Sequence, residues 1–453
     1  MRKTFALFLI FFLAAFGLTA CSSSNNIGGG HNNQPGISVS PTTTSLFVGQ
    51  STTLTANVRN LSDTHVTWTL QESNGGLLTI TNTGTVYTAP WPVGTYHVTA
   101  TSVADPSLSA TATLSVSAAF AFLEEYPAGA ALPYSMTPRV GTYGPDGTFT
   151  ITGYVDSITG NPISVAMEAV ALSSDGVKSV FDVETPYSTY STWDIYTANV
   201  DATGNMVQLT TDGNSWYPEF SFDGQQIVYI HADDIWKMNA NGTNQQTVFS
   251  GALNSGYAHS ATFSPDATQI AGELEWSPGG VYHDGIAIMN ADGSNIFQLT
   301  GGSDFPCAIG WDEAPAFTHD GTQIMFSRYC NDDQTESLYV INTDGTGLTA
   351  MTTAVPGFAD YNPIPVGDKI VFQTNQDYPF TNSYEIYGMN QDGTSMTRLT
   401  ENTIYDGFDT LFYSVPSAAS AQFAKSQSAA RSSTHGMAKR VQRIKSQQLK
   451  HLR

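Results

Sequence analysis

The chain has 453 residues, of which 41% are hydrophobic and only 12% charged, with 40 glycines and 21 prolines. That balance excludes coiled coils and helical bundles and points to a turn-rich all-β protein long enough for two or three domains. The charge of −22 is unevenly placed: residues 416–453 hold eight basic and no acidic side chains, which leaves nine basic against 39 acidic residues, about −30, on the rest and makes nucleic acid a poor partner.

Arg2 and Lys3 precede an apolar run from Phe5 to Phe16, too short for a spanning helix and of the right length for the apolar region of a signal peptide, here residues 1–20. Leu18-Thr19-Ala20-Cys21 resembles a bacterial lipobox, which implies that Cys21 carries a thioether-linked lipid and becomes the mature N-terminus. With Ser22 after the cysteine, the resemblance implies outer-membrane sorting, to the periplasmic or the surface side, with the membrane reached through the lipid anchor. Residues 21–36, rich in Ser, Asn and Gly, read as a flexible tether.

Residues 37–117 show short runs of period-two alternation (STTLTANV, HVTWTL, GTYHVTATSV, SATATLSV) separated by turn signals, the pattern of a small antiparallel sandwich. The series resembles bacterial Ig-like domains of the group 2 type, which implies a spacer with Trp68 in its core.

From about residue 165 two turn motifs alternate. The first has Gly176, Gly224, Ala267, Gly321 and Gly367 at its turns, and the second has Gly204, Gly242, Gly293, Gly345 and Gly393. Two turns in each period of about 45–50 residues mean four strands per repeat, the signature of a β-propeller blade. The wording of the repeats, SPDG before an apolar strand and NxDGT before LT, resembles TolB-type, WD-like propellers. The propeller is assigned to residues 118–415. AFAFLEE, RVGTY and TFTITGY, together with DTLFYSV from the far end, are candidates for a closing blade, which makes six blades, with seven the alternative.

In such a blade the short A–B and C–D turns share one face, and the B–C and D–A connections share the other. The B–C segments are expected to be long loops at 184–194, 273–285, 327–337 and 373–385, bringing Trp193, Trp276, Tyr282, Tyr329 and Tyr378 to that face. The D–A connections add Trp216, Tyr217, Tyr257, His259, Trp311, Asp312, Glu313, Asp360 and Tyr361. An aromatic and acidic face of this kind suits an envelope protein or peptide as partner, and equally a glycan. Cys307 and Cys330 fall on the same face, and in an oxidising envelope a disulfide between them is expected, two free thiols being the alternative.

No G-x-S-x-G, H-E-x-x-H or phosphate loop is present. Propellers of this look also precede prolyl-oligopeptidase-type hydrolase domains, but only 38 residues follow position 415. Some propellers of this type are themselves enzymes, such as metal-dependent pectate-fragment lyases, and that comparison draws attention to His231, His259, His283 and His319, whose spacing matches no ligand motif. The expectation is therefore a non-enzymatic binding protein with no cofactor and no metal, and the alternative a carbohydrate-binding or carbohydrate-active propeller. Asp292, Asp344 and Asp392 are read as turn formers rather than calcium ligands. The basic tail, 416–453, reads as disordered, with a basic amphipathic helix as the alternative.

Overall fold

The structure, a computed structural model, describes residues 34–82, 84–125, 136–154, 169–173, 176–186, 191–199, 206–254, 256–277, 283–301, 310–330, 334–377, 384–400 and 409–410. Cys21 with the signal peptide, Cys307, Tyr282, Tyr378 and the basic tail lie outside the described residues.

The first eight strands are β1 (Gly36–Ser40), β2 (Thr43–Phe47), β3 (Ser51–Arg59), β4 (Val66–Leu70), β5 (Leu77–Thr81), β6 (Gly84–Thr88), β7 (Gly94–Ser102) and β8 (Ser109–Glu125). One sheet has the order β1-β3-β6-β5; in the other, β4, β7 and the start of β8 are antiparallel and β2 lies parallel along β8. Alternate residues of β3 and β7 turn inward, so that Leu54, Val98, Leu114 and Val116 form the sandwich core, and Trp68 packs partly buried against it.

β8 does not stop at the edge of the sandwich. From Ala118 onward it pairs with β9 (Met136–Tyr143), which pairs with β10 (Phe149–Tyr154), the strands that contain AFAFLEE, RVGTY and TFTITGY. Five further four-stranded antiparallel sheets follow, each built in sequence order. They are β11 (Val170–Leu172), β12 (Lys178–Pro186), β13 (Ser191–Asn199) and β14 (Val207–Gln208); then β15 (Ser215–Phe220), β16 (Gln226–His231), β17 (Asp234–Asn239) and β18 (Gln246–Phe249). After the short helix α1 (Gly251–Asn254) come β19 (Tyr257–Phe263), β20 (Gln269–Trp276), β21 (His283–Asn290) and β22 (Phe297–Gln298). The last two are β23 (Gly310–Phe317), β24 (Gln323–Cys330), β25 (Thr335–Asn342), β26 (Thr349–Ala350), and β27 (Asp360–Val366), β28 (Lys369–Thr374), β29 (Glu385–Asn390), β30 (Thr397–Arg398). Finally β31 (Asp409–Thr410) returns to pair with β8 at Glu124 and Leu123. The second strand of each sheet lies against the first strand of the next, and β8 lies against β11. Up-and-down sheets stacked face to face in this way are a β-propeller.

Local chemistry accounts for the repetition. The turn residues Gly176, Gly224, Ala267, Gly321 and Gly367 all have φ between 56° and 70°, and Gly242, Gly293, Gly345 and Gly393 between 81° and 84°, the left-handed conformation that glycine adopts without a Cβ clash. In the second motif Asp292, Asp344 and Asp392 each accept the backbone N–H and the hydroxyl of the residue two places on, at 2.6–3.0 Å. Those hydroxyls hold the carboxyls below the ordinary aspartate range. The threonine that closes the second motif has a structural role: Thr210, Thr300 and Thr400 of the recurrent LT, and Thr352 after Met351, accept the backbone N–H of the third strand of their own sheets at 2.9–3.0 Å.

Two expectations are corrected. The B–C segments are mostly hairpin arms rather than long loops: Glu184 pairs with Trp193, Trp276 with His283, and Cys330 with Thr335, so only the tips connect. The D–A residues from Trp216 to Tyr361 are not in connections either; they are the opening residues of the innermost strands β15, β19, β23 and β27. In both cases the distance between turn motifs contained additional ladder pairs, which the spacing of glycines does not reveal.

Candidate functional site

The innermost strands carry the propeller's polar chemistry at a β-bulge. Register slips between Trp216 and Glu219, Ala258 and Ser260, Glu313 and Ala316, and Tyr361 and Ile364. In three of these strands the bulge holds a non-glycine residue at positive φ directly before a proline: Tyr217 (51°), Ala314 (52°) and Asn362 (56°). A bulged N–H has no ladder partner, and here each is taken by the preceding sheet. Tyr217 donates to Asp182 Oδ2 (3.0 Å), Ala314 to Glu273 Oε2 (3.3 Å) and Asn362 to Ser327 Oγ (2.9 Å). The junction between the second and third sheets is made instead by the Thr262 hydroxyl, which donates to Glu219 Oε1 (3.0 Å). Buried polar acceptors therefore make four junctions that join five consecutive sheets, and three of the four, Asp182, Glu219 and Glu273, are residues that charge composition alone reads as surface.

Glu219 is fully buried, with Oε2 among the buried oxygens that have no hydrogen-bond partner, and burial raises its carboxyl well above the ordinary value of 4.5. Below that ordinary value the folded and unfolded chains are both neutral here; above it only the unfolded chain ionises, so stability falls as pH rises towards the folded pKa. The Glu219→Gln variant is expected to lack this loss, by up to about 1.4 kcal/mol per pH unit between pH 5 and 8. Melting temperatures of both proteins across that range check the prediction, and parallel curves would refute it.

The aromatic and acidic candidates occupy a different environment from the one expected. Trp193, Trp216, Tyr217, Trp276, Trp311 and Tyr361 are buried, as are Asp312, Glu313 and Asp360. Trp311 is wholly enclosed, stacked on half-buried Tyr329 with ring centroids 4.3 Å apart, and its indole N–H donates to Glu313 Oε2 (3.1 Å). Asp312 receives a bidentate pair from the buried Arg328, Nε to Oδ1 at 2.7 Å and NH2 to Oδ2 at 2.8 Å. These groups are the internal frame of the face and not its contact surface. They bury because each sheet is covered by its neighbours, a condition that alternation within one strand does not record.

Among the described residues at that end, the two most exposed large apolar side chains lie around α1. Tyr257 is 55% exposed and Leu253 87% exposed. Beside them His259, at its bulge, has Nε2 3.4 Å from Glu275 Oε1. His231 sits 3.3 Å from Asp212 and edge-on to Trp236, whereas His319 lies on the opposite turn face against Trp91. Among the described residues no three His, Cys, Asp or Glu side chains converge as metal ligands. Cys330 is buried and disulfide-bonded.

Neither a protein-family model nor a curated protein matches the chain. Among solved structures, a putative TolB from Agrobacterium tumefaciens is 16% identical, covering 65% of this chain and 98% of its own, with a TM-score of 0.42. An oligogalacturonate lyase in complex with manganese is 15% identical over 61% of this chain and 72% of its own (TM-score 0.40). The β-propeller domain of the Trilobed protease from Pyrococcus furiosus is 11% identical over 63% and 93% (TM-score 0.38). These are likenesses of fold alone.

Proposed function

We propose that this chain is a lipid-anchored envelope binding protein: Cys21 holds it to the outer membrane, an Ig-like sandwich follows the tether, and a six-bladed TolB-type propeller presents a partner-binding surface. In this reading β31, β8, β9 and β10 are the closing blade, which joins the two ends of the ring. The partner is an envelope protein or peptide with an apolar contact segment. The observation that carries the reading is the exposure of Leu253 and Tyr257 together on the α1–β19 connection, at the end of the propeller where the innermost strands begin. A leucine and a tyrosine four residues apart supply the apolar area and polar tip that protein contacts favour.

The test is capture from solubilised envelope by the chain from residue 22 onward, compared with a Leu253→Ser, Tyr257→Ser double variant. Because both side chains are exposed, the substitutions are expected to alter stability by less than about 1 kcal/mol in total. Loss of the captured protein with an unchanged melting temperature is the expected result. Equal capture by both chains would overturn the proposal.

A further inference from the structure

The sandwich does not hang from the propeller by a linker. β8 runs through both units as one strand of 17 residues, pairing with β7 up to Val116 and with β9 from Ala118. A shared strand still permits bending, but two further contacts between the units lie off its axis. The loop between β6 and β7 places the Trp91 ring 4.7 Å from the imidazole of His319, in the turn between β23 and β24. The same loop meets the turn between β27 and β28, where a Cβ built on Gly367 would stand 3.1 Å from the Trp91 carbonyl oxygen and 3.5 Å from Val93 Cγ1. Within the propeller, the turn between β29 and β30 backs the same imidazole, with Gln391 Nε2 3.4 Å from His319 Nδ1. The buried apolar residues are continuous across the joint: Val48, Leu114 and Val116 of the sandwich belong to one cluster with Ile364, Val366 and Val371 of the propeller. Partial burial also keeps the imidazole of His319 below its ordinary value, as expected of a contact from which water is excluded.

We infer that the sandwich is latched to the turn face of the propeller through Trp91, so that the two units form one rigid body whose α1-bearing end is held facing away from the sandwich. The sandwich is then an orienting clamp and not a passive spacer. Gly367 is the residue that fits this latch: at φ 62° and in that space, a side chain meets the Trp91 backbone.

Scanning calorimetry of the chain from residue 22 onward tests this directly. Latched units unfold together, so one transition is expected. Trp91→Ala combined with Val93→Ser, both in the β6–β7 loop and away from the propeller's own turns, is expected to separate the sandwich transition from that of the propeller by about 5 °C or more, while each unit retains its unfolding enthalpy. Retained enthalpy shows that the variant still folds. His319→Gln, which keeps shape and polarity, is expected to preserve the single transition. Two independent transitions in the unaltered chain, or a double variant that melts as the unaltered chain does, would overturn the inference.

Discussion

Trp311→Ala is expected to lower the melting temperature of the propeller by on the order of 10 °C rather than to remove a binding contact. The indole is fully enclosed, stacks on Tyr329, and satisfies Glu313 through its N–H. Truncation removes the apolar transfer energy, leaves a cavity that a stacked ring cannot fill, and takes a donor from a buried carboxylate. Core tryptophan truncations cost about 3–5 kcal/mol, and in a domain of this size each kcal/mol shifts the midpoint by roughly 2–4 °C. Tyr257→Ala, at an exposed ring near the same end, is expected to cost less than about 0.5 kcal/mol. Thermal unfolding followed by circular dichroism distinguishes the two. If Trp311→Ala melted within about 2 °C of the unaltered chain, the indole would not be a core residue.

The contrast between these two residues marks what the sequence reveals about the site. Turn motifs are local: an Asp-Gly pair sets φ and an Asx hydrogen bond within four residues, so the positions of Gly224, Gly321 and Gly393 are readable without the fold. Exposure is not local. Trp216, Trp311 and Tyr361 stand where alternation and proximity to turns resemble a surface, and only the adjoining sheet covers them. A signal for the bulge was nevertheless present. WYPEF, DEAPAF and DYNPIP each place a proline inside a strand ahead of the turn motif, and a proline within a strand of a stacked sheet implies a bulge. The third sheet, whose AHSATF lacks that proline, has a register slip at His259 without a positive φ. The carboxylates that receive these bulges, Asp182 and Glu273, belong to the preceding repeat, so no single repeat contains the whole contact.

The pair Asp312 and Arg328 provides the second large effect, and its sign depends on how it is removed. Both side chains are buried and the contact is bidentate, with the guanidinium also lying over the rings of Phe326 (5.5 Å) and Tyr339 (5.0 Å). Asp312→Ala removes the counter-charge and leaves a guanidinium that the surrounding rings solvate poorly. The expected cost is about 3–5 kcal/mol, on the order of 10 °C in midpoint, because removing one partner of a buried bidentate pair costs far more than replacing both. Arg328→Met alone takes two charge-assisted hydrogen bonds from a buried carboxylate and is expected to cost a similar amount. The double variant Asp312→Leu, Arg328→Met leaves no charge behind and conserves approximate volume, so it is expected to recover at least half of the larger single loss. A double-mutant cycle from denaturant unfolding measures that recovery as a coupling free energy. Strictly additive losses would mean that the two groups are stabilised independently, and the reading of Asp312 as part of the frame, rather than a residue held for an incoming ligand, would fail.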